Sequence, residues 1–347
     1  MTKGFTVRDS KTPKKTRVSE KTCSDPIACH KQGCRERLEE HVKLMTEIIK
    51  GPLATLVLYA EREYARATQK MLENDKELQD NLRSVFEKLL EDLEEKGILK
   101  MLVAFHDLGK CTRNFQDSLE KNCSAPYHEA LSAYLLYHYF ECLASVTTGF
   151  NNEDLSKHRV SLLKLVYPLI LAVILHHHAM RDPNEVFDES PRELSKYVTE
   201  NDTSCLQICS EKIFKAVDLS LPPNCIEGVK LDEQHLKEFF RSLKTLTGTL
   251  RILPSLYRAA LLLVLPLSIA DNLAAYVNRS LCVQEKTDPW SLVKKVMKDS
   301  RFSGFVRDFI SSEELRRQLR GILRESIEKA MSSGGQSGRF SGNDRIR

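Results

Sequence analysis

Leu38, Val42, Met45 and Ile49 stand three or four residues apart, and so do Leu82, Phe86, Leu89 and Leu93. Tyr134, Leu135, His138 and Cys142 make a third stripe. Such spacing lines apolar side chains along one face of an α-helix. The alternation of period two that marks a half-buried strand is not sustained anywhere along the chain. The pattern predicts an all-α fold. Helices are expected near 35–50, 53–72, 75–96, 98–109, 127–146, 159–178, 190–217, 232–247, 252–280, 289–299 and 304–331. Pro168 and Pro266 fall inside apolar runs and are expected to kink their helices.

A chain of 347 residues buries a full core without staples. Its longest apolar runs are Leu165–Leu175, 11 residues, and Ala259–Leu267, 9 residues. A membrane span takes about 20 residues. These runs therefore read as core helices, and no membrane partner is expected. Met1–Lys21 is polar throughout and shows no apolar targeting segment, which gives a cytoplasmic expectation. In that compartment the ten cysteines are expected as reduced thiols.

The net charge of +4 is unevenly placed. Met1–Lys21 carries seven basic residues against two acidic, and 332–347 carries three Arg against one Asp. The stretch between them is mildly acidic. Residues 1–21 read as a disordered basic tail, and the Gly/Ser-rich 332–347 as a disordered tail. Basic arms either neutralise phosphates or simply keep a chain soluble. The principal domain is expected over 22–281, with further helices at 282–331. Residues 181–250 are polar, hold the Pro222–Pro223 pair and separate two apolar segments, so they read as an insertion or subdomain.

Ten histidines are spread unevenly. His106-Asp107-Leu108-Gly109-Lys110 closes an apolar helix, and the neighbouring His106 and Asp107 can reach one metal centre. His128-Glu129 opens a helix. His176-His177-His178 ends the most apolar helix, where packing alone does not explain three imidazoles. His41 sits on an apolar face between Leu38 and Met45, where a satisfied core histidine is the plainer reading. Asp271 follows Leu261–Ala270, and a carboxylate there is costly to bury unless a cation neutralises it. Imidazole with carboxylate suits Mn, Fe, Co, Ni or Zn. Six or seven such ligands suffice for two ions sharing Asp107, the arrangement used in phosphodiester hydrolysis.

Two other motifs carry less. Cys23, Cys29, His30 and Cys34 lack the paired spacing of a zinc knuckle. Asp232-Glu233-Gln234-His235 spells a helicase-like tetrapeptide. No phosphate-binding Gly-x-x-x-x-Gly-Lys-Ser/Thr loop accompanies it in this sequence.

The order of His41, His106-Asp107, His128, the histidine pair and Asp271 resembles the HD phosphohydrolase superfamily. Leu38-Glu39-Glu40-His41, His106-Asp107-Leu108-Gly109-Lys110, Phe115-Gln116, His128-Glu129 and the histidines before Ala179-Met180 resemble one branch of it. That branch is the stand-alone HD nuclease of type I CRISPR interference. The resemblance implies an HD-type helical fold and cleavage of single-stranded DNA with two divalent ions, from among Mn, Mg, Co, Ni or Fe. It implies a separate helicase subunit and a crRNA-guided surveillance complex as partners. By motif, His41, His106 and Asp271 would hold one ion, and His128, His176 and His177 the other. Asp107 would bridge them, and Lys110 would offset phosphate charge. The shifted pair His177 and His178 stays open. An HD-type phosphohydrolase of small or cyclic nucleotides is the alternative reading of the same ligands.

Overall fold

A computed structural model describes residues 25–31, 34–51, 53–74, 83–122, 125–148, 152–178, 183–199, 202–220, 225–226, 228–250 and 254–283. The expected tails and the expected helices at 289–299 and 304–331 lie outside the described residues. The apolar stripes fold as helices. In chain order these are α1 (Leu38–Lys50), α2 (Ala54–Asn74), α3 (Arg83–Lys96), α4 (Ile98–Phe105), α5 (Arg113–Asn122), α6 (His128–Thr148) and α7 (Asn152–His178). Then come α8 (Pro183–Leu194), α9 (Thr203–Ala216), α10 (Glu233–Leu250) and α11 (Pro254–Val283).

The expectation of helices only is too simple at the start of the described chain. Residues Ile27–Lys31 and Cys34–Arg37 pair as an antiparallel hairpin, β1 and β2, with an irregularity between Ile27 and Cys29. Gln116 on α5 pins this hairpin. It accepts the Ile27 N–H through Oε1 at 2.8 Å and donates through Nε2 to the Ile27 carbonyl at 3.1 Å. Helix α5 was itself not expected. The expected helix 190–217 is two helices, α8 and α9. Asp202 ends the linking turn by accepting the Thr199 N–H at 2.9 Å and the Arg113 N–H at 3.0 Å. The chain continues through Pro168 and Pro266 without leaving the helical state.

Helix α11 is the spine, packed against α1, α2 and α7, while α6 lies along α7. Windows of α7 (His158–His176) and α11 (Ser255–Asn278) are long and apolar enough to cross a membrane, contrary to the impression left by their broken apolar runs. Their surfaces are largely covered by the other helices: 78% and 72% of these windows is buried. Fully buried Leu165, Leu169, Leu262 and Leu267 belong to this core. Each such side chain contributes on the order of 2 kcal/mol.

The cysteines depart from the reduced expectation. Cys111, next to Lys110, is bonded to Cys209 on α9, with Cα atoms 6.0 Å apart although the two stand 98 positions apart in sequence. Cys142 on α6 is bonded to Cys225, at 5.4 Å and 83 positions. No free cysteine occurs among the described residues. Both bonds tie residues beyond position 200 to α6 and to the segment following α4. Closing loops of this length constrains the unfolded chain by roughly 3–5 kcal/mol each. Exchange of Cys209 for Ser should lower the melting temperature by roughly 10 °C. It should also remove the peptide joining Cys111 to Cys209 from a non-reducing digest. An unchanged melting temperature, with no such peptide in the wild type, would contradict the pairing.

Candidate metal centre

Helix α4 runs through buried residues from Ile98 to Phe105 and then breaks. Asp107 has φ −114° and ψ 5°, outside the helical basin, and a 3-10 turn follows at Leu108–Cys111. This break turns His106 and Asp107 inward; they are 0% and 1% exposed. Gly109 makes the turn possible. A Cβ there would lie 2.0 Å from the His128 carbonyl oxygen, so any side chain would push α6 away. The Gly109 N–H donates instead to Ser132 Oγ at 2.8 Å. Tyr127, just before α6, takes a left-handed φ of 63°, a conformation costing about 1–3 kcal/mol that delivers His128 to the same place. Its hydroxyl donates to Glu189 Oε2 at 2.5 Å.

The structure brings together side chains that are far apart in sequence. His41 Nε2 lies 3.1 Å from Asp271 Oδ1, across 230 positions. The His41 and His106 rings are 5.6 Å apart, and the His106 and His176 rings 5.4 Å. His128 Nε2 is 2.9 Å from Asp107 Oδ1. Lys110 Nζ donates to Asp107 Oδ2 at 2.7 Å. The backbone of α7 carries His177 and His178 beside His176, but their side chains lie outside the described part. The positions of His41, His106, Asp107, Lys110, His128, His176 and Asp271 are thus accounted for around one buried centre.

The donor atoms are aimed. His106 Nδ1 donates to the Val103 carbonyl at 2.8 Å, and His128 Nδ1 faces the Ala125 carbonyl at 2.6 Å. His176 Nδ1 is bonded to the Val173 carbonyl. In each ring this leaves Nε2 to face the centre, as metal-ligating imidazoles require. His106 Nε2 is buried and has no hydrogen-bond partner among the described residues. It lies 3.4 Å from Asp107 Oδ2. A buried nitrogen in this state is costly unless something fills its lone pair. Ligand atoms of His41, His106 and Asp107 all fall within 4.8 Å of one another, a set that could hold a metal ion. Two imidazoles and a carboxylate fit a first-row divalent ion.

Electrostatics agree with a cation site. Burial pushes the Asp107 carboxyl up, but Lys110, His106 and His128 outweigh it and hold Asp107 well below the usual carboxylate range. Burial pushes His41 down, yet hydrogen bonds to Asp271 and Glu36 outweigh that and carry its pKa up to about 10.

Four supporting residues were not legible as such. Glu36 accepts from His41 Nδ1 at 2.8 Å, and Asn278 donates to Glu36 at 2.9 Å. Gln116 Nε2 donates to the Lys110 carbonyl at 2.9 Å, and Ser132 holds Gly109. Only Gln116 carried a signal, as part of the Phe115-Gln116 pair.

A buried histidine and aspartate side by side at a helix break, met by histidines from three other helices, define an HD-type metal hydrolase. The family described as "Cas3, HD domain" matches residues 63–274, more than half of the chain, and the chain belongs to that family. It is therefore a metal-dependent HD nuclease of type I CRISPR interference. Comparison with curated proteins and with solved structures finds no match. The matched span omits His41, which the fold nevertheless seats against His106 and Asp271.

The raised pKa of His41 has a definite sign. Its contribution to stability in the metal-free protein is fully present below the unfolded value near 6.5 and is lost as pH rises through about 10. A divalent ion must displace that proton. Mn²⁺ affinity should therefore rise by about tenfold per pH unit between pH 6.5 and 8, with close to one proton released per ion at His41. Calorimetry in buffers of different ionisation enthalpy measures both. Affinity flat across this range would contradict a protonated His41.

Proposed function

We propose that this nuclease hydrolyses phosphodiester bonds of single-stranded DNA with two divalent ions. His41, His106, Asp107 and Asp271 hold one ion, and Asp107, His128, His176 and His177 hold the other. The candidate ions are Mn²⁺, Mg²⁺, Co²⁺, Ni²⁺ and Fe²⁺, and the mixed imidazole and carboxylate donors suit the first-row metals among them. The observation that carries the reading is the buried His41, His106 and Asp107 group in a chain of this family. Bound divalent ions supply Lewis acidity at the phosphoryl oxygens.

The chain's own residues do the rest. Asp107 presents one carboxylate oxygen to His128 and the other to Lys110 and His106, which supports its being shared between the two ions. Lys110 balances Asp107 in the metal-free state. Its flexible stem and partial exposure let its ammonium turn to a phosphate oxygen once ions balance that carboxylate. The apolar shell of α4, α7 and α11 keeps bulk water from the ligands and strengthens every charge interaction inside. Residues 181–250 form an insertion on the nuclease domain, tied to it by the bond between Cys111 and Cys209.

Unwinding is assigned to a separate helicase subunit, as the resemblance to the stand-alone nuclease implies. Target choice is assigned to a crRNA-guided surveillance complex. Membership of the family implies an intracellular protein, and the proposed compartment is the cytoplasm.

Labelled single- and double-stranded DNA incubated with Mn²⁺ tests this directly. Cleavage of the single strand should be abolished by EDTA and reduced by at least a thousandfold in Asp107→Ala. Lys110→Met should lose about 10- to 100-fold in kcat, in the range set by a single charge-assisted contact. Equal cutting by wild type and Asp107→Ala would contradict the assignment. Release of phosphate from nucleotides, with DNA left intact, would favour the small-nucleotide phosphohydrolase instead.

A further inference from the structure

Glu36 is a carboxylate with no evident reason to be buried. It sits on β2 between Arg35 and Arg37, whose side chains are 41% and 56% exposed, while its own is 3% exposed. The period-two geometry of a strand explains the direction, sending Glu36 to the face opposite its neighbours. It does not explain the residue type, since an apolar side chain would fill the same place without losing hydration.

The contacts of Glu36 supply the reason. Its Oε1 accepts from His41 Nδ1 at 2.8 Å and from Asn278 Nδ2 at 2.9 Å. The other edge of the same imidazole, Nε2, faces Asp271 at 3.1 Å. His41 is therefore gripped from behind by a carboxylate, whereas His106 and His176 have backbone carbonyls in that position and His128 has both a backbone carbonyl and its own neighbour Glu129, at 3.2 Å. Those three are held by the helix or turn that carries them. His41 lies within α1, and its orienting acceptor comes from outside that helix. The hairpin supplies it. Gln116 bonds the Ile27 backbone of that hairpin and also the Lys110 carbonyl, so Glu36 is braced against the segment that carries Asp107.

We infer that Glu36, steadied by Asn278, is the positioning residue that fixes the ring of His41 with Nε2 toward the metal centre. Neither residue lies within the span 63–274 that defines the family match. The hairpin and the end of α11 are thereby functional parts of the centre, not appendages to it. This rests on the metal-binding reading of His41 given above.

The test measures Mn²⁺ affinity by calorimetry at pH 7.5 and melting in EDTA, for wild type, Glu36→Ala, Glu36→Gln, Asn278→Ala and Asp107→Ala. Glu36→Ala should weaken Mn²⁺ binding by about 10- to 100-fold, the usual cost of losing such a support. Glu36→Gln keeps an oxygen acceptor for Nδ1–H and should recover most of that loss. Asn278→Ala should move affinity in the same direction by a smaller factor, and it carries the test should Glu36→Ala fail to fold. A residue that only supports the fold would lower the melting temperature and leave Mn²⁺ affinity of the folded protein unchanged. That result, with binding abolished in Asp107→Ala, overturns the role of Glu36 and leaves the metal centre standing. Equal losses in the Ala and Gln variants also overturn it, since charge alone would then account for the effect. Failure of wild type to bind Mn²⁺ would instead remove the metal reading, and this inference with it.

Discussion

A carboxylate that is 1% exposed among apolar helices requires cations around it, and Asp107 is that carboxylate. The free energy of burying it falls steeply with each positive or hydrogen-bonding partner. Lys110, His106 and His128 are the partners visible here. Much of the local architecture follows from bringing them together. Helix α4 must stop before His106, the following turn must be tight enough to return Lys110, and α6 must begin against Gly109. The missing side chain of Gly109 and the left-handed Tyr127 are the backbone cost of this convergence.

The same requirement organises the long-range contacts. His41 and Asp271 come from opposite ends of the described chain and meet because α1 and α11 pack side by side. The apolarity of α7 and α11 that would suit a lipid environment covers these polar groups instead. The Cys111–Cys209 and Cys142–Cys225 disulfides secure residues beyond position 200 to the segment following α4 and to α6. Both sulfurs of the bond between Cys111 and Cys209 are buried, which shields it from soluble thiols in a protein whose family acts inside the cell.

Helices with a clear apolar stripe were readable from spacing: the expected 35–50 is α1, Leu38–Lys50, and the expected 127–146 is α6, His128–Thr148. The histidine series was readable because imidazoles at the ends of buried helices are hard to reconcile with packing alone. The hairpin was not, since strands of five and four residues with an irregularity never establish an alternation. Helix α5 spans ten residues with only Phe115 and Leu119 as apolar side chains, too few to establish a stripe in sequence. The separation of α8 from α9 depends on Asp202 reaching Thr199 and Arg113, contacts invisible to local pattern. Glu36 and Asn278 are ordinary polar residues in sequence, and only tertiary packing places them behind His41. The cysteine pairs span 98 and 83 positions and follow no spacing rule.

This buried centre is expected to hold divalent ions. Anomalous diffraction at the manganese edge, from crystals grown with Mn²⁺, is the most direct measurement. The expected result is a peak bounded by His41 Nε2, His106 Nε2, Asp107 and Asp271, with Lys110 turned away from Asp107. A map without density at this place, and with Lys110 still paired to Asp107, would contradict it.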